Sequence, residues 1–145
     1  MLYNDTITLF NRVAGGLRGD RWIPTVIEGV HLDIDRAAIA AKYGATSKDE
    51  AAVHIRYTSQ DGIMVAGKRW MPPREWDKTE DSLTFTAGDQ FDFFWKGEWM
   101  EGIVEDVGYG EEGFYGFMNR THDYVFAISS VAMFDLIPHF EIMGR

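Results

Sequence analysis

The residues that could do chemistry are few in kind. Cysteine is absent, which removes thiol nucleophiles, disulfide frameworks and cysteine–zinc sites together. No two of the four histidines, His31, His54, His122 and His139, stand three or four residues apart. A metal pair would therefore need a fold that converges distant segments. A serine nucleophile needs a glycine-flanked turn that exposes its hydroxyl, whereas Ser129-Ser130 lies in strand-like sequence. Gly108-Tyr109-Gly110-Glu111-Glu112-Gly113 spells the dinucleotide-binding glycine pattern, in which backbone N–H groups at a helix N-terminus receive a phosphate. Here two of the intervening residues are glutamates, which would repel that phosphate. The expectation is an acidic loop with no nucleotide or other cofactor.

Carboxylates are the one abundant reactive type. Asp89, Asp92, Glu98, Glu101, Glu105 and Asp106 could supply two groups across a cleft, with Trp95 and Trp99 stacking on a sugar, as glycoside hydrolysis requires. With 23 acidic residues in the chain, some pairing arises by chance. Asp89-x-x-Asp92 does not supply an EF-hand calcium loop. No catalytic, cofactor-binding or metal-ligating residue is expected, and the chain reads as a protein that assembles or binds, not as an enzyme.

The charge is unevenly placed. Residues 1–74 hold 10 basic and 8 acidic side chains, net +2; residues 75–112 hold 2 and 12, net −10; residues 113–145 hold 2 and 3, net −1. An acidic excess in one central segment disfavours nucleic-acid binding, which needs clustered Lys and Arg. It suits either a solvated face or a docking surface for a basic partner. The opening Met1-Leu2-Tyr3-Asn4-Asp5 lacks a basic segment followed by an apolar run, so no secretory signal is expected. No stretch approaches the ~18 apolar residues of a membrane helix.

The elements that must position these groups are mostly strands. At 145 residues, 46% hydrophobic and 26% charged, the chain suits one globular domain spanning 1–145. Thr6 to Phe10 alternates with Ile7 and Leu9 on one face. A second strand runs from about Trp22 to Ile34, with Val26, Val30, Leu32 and Ile34 expected on the face of Trp22. Pro24 there predicts an edge position or a strand start, and Gly29 a bulge. Asp35 predicts the cap of a short alanine-rich helix that stops at Gly44. In Ala52 to Thr58, Val53, Ile55 and Tyr57 point one way while His54, Arg56 and Thr58 point the other. Asp61-Gly62 predicts a turn into Ile63-Met64-Val65, and the double proline Pro72-Pro73 argues against a sheet over 66–82. Leu83–Thr86 and Gln90–Trp95 read as a hairpin, Tyr124–Val131 and His139–Met143 as the last strands, and 97–118 as a glycine-rich, acidic, mobile or assembly loop with a short helical turn. The fold class is mainly β, a small barrel or sandwich with at most one or two short helices. The candidate assembly surface comprises Trp95, Trp99, Glu105, Asp106, Glu111, Glu112, Phe114 and Tyr115, where the acidic excess meets many aromatics.

Taken in order, Ile7-Thr8-Leu9-Phe10-Asn11, Trp22 to Val30, Val53 to Tyr57, the Trp70 to Trp76 segment, Phe85 to Gln90 and the closing Pro138 to Ile142 resemble small proteins of tailed phages and prophages. These belong to the head-completion, connector and minor capsid type that joins head to tail. The resemblance implies a non-enzymatic virion subunit made in the bacterial host cytoplasm. It would form a homo-oligomeric ring against portal, adaptor or tail proteins, with no sequence-specific nucleic-acid binding, no membrane and no cofactor. Rings use one face of a subunit against a different face of its neighbour, which a chain of uneven charge can supply. The alternative is a monomeric β-sandwich module for a ligand such as a carbohydrate.

Overall fold

The computed structural model describes residues 1–35 and 49–145. Strands β1 (Asp5–Val13) and β2 (Arg21–Ile34) run antiparallel from Asp5↔Val30 to Val13↔Arg21. Beyond β1, β2 continues and pairs through His31–Ile34 with β3 (Ala51–Arg56). Next come β10 (His139–Gly144) against β3, β9 (Val125–Phe134) against β10, and β7 (Phe93–Trp95) against β9; β7 then returns to β1 at Thr8–Phe10. The six strands close a barrel in the order β1-β7-β9-β10-β3-β2, which removes most of the open edge that a sheet otherwise presents. Of the barrel and the sandwich, the chain forms the barrel, as one small mainly β domain.

Three additions surround it. β8 (Val104–Glu105) extends β2 beside Arg21 and Trp22. β4 (Met64–Val65), β5 (Lys68–Trp70) and β6 (Ser82–Leu83) make a separate small sheet. A helix, α1 (Gly113–Thr121), precedes β9. No helix among the described residues is long and apolar enough to cross a membrane. The alanine-rich segment expected to be helical lies, after Asp35, outside the described residues.

Alternation decides which side chains fill the barrel. Ile7, Leu9, Val53, Ile55, Phe94, Phe126, Phe140 and Ile142 are all nearly inaccessible and form one cluster, with Tyr57 at its margin. The faces expected for β1 and β3 are therefore the observed ones. The face expected for β2 is not. Ile23 and Ile27 are buried, while Trp22 packs in a different cluster outside the barrel with Phe10, Phe93, Val104, Phe114 and Met118. Gly29 explains the difference: it has φ +67° and stands between Glu28, opposite Thr6, and Val30, opposite Asp5. It is the expected bulge, and the extra residue reverses the side-chain phase. Odd positions face inward before it and even positions (Val30, Leu32, Ile34) after it. Pro24 pairs with Phe10 where β2 has a strand neighbour on one side only among the described residues, so its missing N–H costs no ladder bond.

The expected hairpin of Leu83–Thr86 with Gln90–Trp95 is also absent. β6 instead lies parallel to β5, despite the prolines at 72 and 73, and β7 enters the barrel. The turn between them is held by Asp92, whose N–H donates to the Thr86 carbonyl and whose carboxylate accepts from the Thr86 N–H.

Candidate functional site

Residues 97–118, expected as a loop, are built onto the outer wall of the barrel. After β8 comes a 3₁₀ segment, Asp106–Glu112, and then α1. Its apolar positions lie inside: Phe114 and Met118 are fully buried against Phe10, Phe93 and Val125. Edge-on ring pairs at 5.1 Å (Phe10–Phe114) and 5.2 Å (Trp99–Phe114) give this second core aromatic packing, each pair contributing about 0.5–1.5 kcal/mol beyond area.

The eight residues of the candidate assembly surface consequently divide. Phe114 is core, and Trp95, Trp99 and Tyr115 are partly buried against it. Asp106 is an anchor. One of its carboxylate oxygens accepts from Trp22 Nε1 at 2.7 Å and from the Phe114 N–H at 2.9 Å. Glu112 pairs with Arg120 at 2.7 Å, which holds its carboxyl below the usual range. Glu105 and Glu111 are solvent-facing. Neutralising Glu105, Asp106, Glu111 and Glu112 together therefore also removes a structural anchor. Asp106→Ala alone is expected to cost about 2–3 kcal/mol, because two donors lose their acceptor; urea unfolding of the single variant measures it.

Asp106 also accounts for the glycine pattern. The segment Gly108–Gly113 does lead into a helix, but from a 3₁₀ segment and not directly from a strand, and the first turn of that helix already receives the Asp106 carboxylate. Gly113 has φ +71°, and a Cβ there would sit 3.3 Å from that carboxylate. The turn encloses an internal anion.

A run of exposed apolar residues lies elsewhere. Beyond Ile128, β9 pairs only with β10 among the described residues, and its outer edge carries no strand. Val131, Met133 and Phe134 are 36–43% exposed, and the turn that follows presents Leu136 at 97% and Ile137 at 72%. A run of apolar residues without alternation, Val131 to Ile137 interrupted only by Asp135, was the available signal in the sequence. Across the barrel, β8 has a second edge without a strand partner among the described residues. Beside it lies a shallow groove of about 400 Å³ lined by Trp99, Ile103, Val107 and Tyr109 and rimmed by Glu101 and Glu105.

The fold also gathers three of the histidines. His31 faces His54 across β2 and β3, and Glu141 faces His54 across β10. All three project outward, because their neighbours Val53, Ile55, Phe140 and Ile142 project inward. His139, one outward position further along β10, brings its ring 5.9 Å from that of His54. The His31 and His54 rings are 5.7 Å apart. His139 Nδ1 lies 2.7 Å from the Ile137 carbonyl, and its ring stacks on Phe134 at 4.8 Å. His122 stands apart, against Trp95.

No curated protein and no solved structure matches the chain. A family model does, over residues 2–145. The chain belongs to a family of unknown function, DUF6751.

Proposed function

We propose that this chain is a non-enzymatic structural subunit of a tailed-phage or prophage virion, forming a ring at the head-completion or connector position. The observation that carries the reading is the β9–β10 hairpin. It combines a strand edge that is open among the described residues with exposed Val131, Met133, Phe134, Leu136 and Ile137, on a domain whose six barrel strands otherwise form a closed ring of pairings. Open apolar edges recruit a further strand or another subunit. The groove beside β8 is the complementary feature: it is lined by apolar side chains, exposed at Ile103 and Val107, and sits on a different face. A projection on one face and a groove on another make a heterologous contact, which closes into a ring when the rotation allows. The resemblance of the motif order to that of head–tail joining proteins supports the virion as the setting.

Native mass spectrometry over a concentration series tests this. The wild-type chain is expected to form closed oligomers. A Leu136→Asp/Ile137→Asp variant and an Ile103→Asp/Val107→Asp variant are each expected to stay monomeric and folded, since exposed substitutions cost little stability. Mixed together, the two variants should give a heterodimer, because one keeps an intact hairpin and the other an intact groove. A wild-type chain that remains monomeric at every concentration, or variants that assemble as it does, would overturn the reading. Finding the chain in purified tailed particles separates a virion subunit from other ring-forming proteins.

A further inference from the structure

We propose that His54, His139 and Glu141 form a divalent-metal site on the outer wall of the barrel, suited to a borderline ion of the zinc class. One ligating atom from each of the three lies within 4.8 Å of the others. Two imidazoles and a carboxylate form a recurrent three-ligand set for zinc that leaves a fourth position for water. Bonds of about 2.0–2.1 Å in a tetrahedron place ligand atoms roughly 3.3 Å apart. Small side-chain rotations on adjacent strands would bring the three together.

Two further observations point to a ligand. His54 is only 9% exposed, and its Nδ1 is buried without a hydrogen-bond partner among the described residues. A dry ring nitrogen is costly unless something ligates it. His139 is already oriented as metal-bound histidines are. A carbonyl can only accept, so the contact with Ile137 fixes the proton on Nδ1 and leaves Nε2 with its lone pair. A cation, Arg56, faces His139 in register. Its guanidinium is turned onto the Tyr3 ring, 4.4 Å from the centroid. His31 lies in the same row but is engaged by the Leu2 carbonyl and Asp33, at 2.7 and 3.2 Å, so it stands beside the site and is not a member of it.

An ion held there would bridge β3 and β10 and brace the turn end of the β9–β10 hairpin through His139. The site stands independently of the ring reading. Zinc titrated calorimetrically into the chelator-stripped full chain is expected to bind at one ion per chain. His139→Asn and Glu141→Gln should each weaken binding by at least about tenfold, while His122→Asn leaves it unchanged. Cobalt in place of zinc should give the visible absorption of a four-coordinate ion, lost in both site variants. His54→Gln tests the buried ligand, and circular dichroism establishes whether that variant is folded. Absence of zinc binding, wild-type affinity in both His139→Asn and Glu141→Gln, or equal weakening by His122→Asn would each overturn the proposal.

Discussion

Ile55→Asp is expected to leave the chain unfolded. Ile55 is 1% exposed, lies opposite Phe140 on the neighbouring strand, and belongs to the cluster that fills the barrel. Replacing it forfeits the burial of an aliphatic side chain, about 1.5–3 kcal/mol. It also puts a carboxylate where no partner exists, at a further several kcal/mol. Together these match the whole stability of an ordinary domain, about 5–15 kcal/mol. Val53→Asp should behave likewise. Thr58→Asp, at an exposed position on the same segment, should fold. Far-ultraviolet circular dichroism and amide chemical-shift dispersion measure all three. A folded Ile55→Asp protein would mean that β3 presents its other face to the core.

The second large effect belongs to Asp92. Its carboxylate is almost wholly buried, yet it accepts from the Asn11 side chain at 2.9 Å, the Arg12 N–H at 2.8 Å and the Thr86 N–H at 2.9 Å. Those donors favour the charged form, but desolvation by burial outweighs them and pushes the carboxyl up to about 7. The native state therefore holds this proton more tightly than the unfolded chain does, whose carboxyl keeps the ordinary value of 3.8. The stability that follows is fully present below about pH 4, is lost as pH rises towards 7, and is constant above. Over that window the loss amounts to about 4 kcal/mol. Asp92→Asn removes the titration. Its amide N–H₂ must also face a donor where the carboxylate faced three, at a cost of about 2–3 kcal/mol. Urea midpoints between pH 4 and 8 should fall with rising pH more steeply in the wild type than in Asp92→Asn. Parallel curves would show that Asp92 does not carry the titration.

Several elements were legible because their signal is local. Ile7 and Leu9, or Val53, Ile55 and Tyr57, recur at every second residue, and successive side chains of a strand must point to opposite faces. Gly29 was legible as a bulge for the same reason that made its consequence easy to miss. A bulge is a local backbone event, but its phase reversal shows only when the strand on either side is placed against β1. The loop expected over 97–118 failed differently. Its glycines do make turns at positive φ, including Gly110 and Gly113. Its aromatics, however, needed the outer faces of Phe10 and Phe93 to pack on, and nothing in the segment itself states that those faces are uncovered. The same applies to its carboxylates: Asp106 looks like Glu105 in the sequence and differs only in what lies above it, the indole of Trp22, a residue 84 positions away.

What the sequence by itself determined is the mainly β character, the core faces of β1 and β3, the final strand, and the absence of a thiol or a local histidine pair. The tertiary structure alone decided that the strands close into a barrel, that the helix covers its outer wall, and that His54, His139 and Glu141 share one patch. Alternation is a property of each strand's own backbone and needs no partner. Which strands become neighbours depends on pairings between distant segments, such as Phe140 with Ile55 and Phe93 with Phe10. Those pairings are selected by closing the whole core at once.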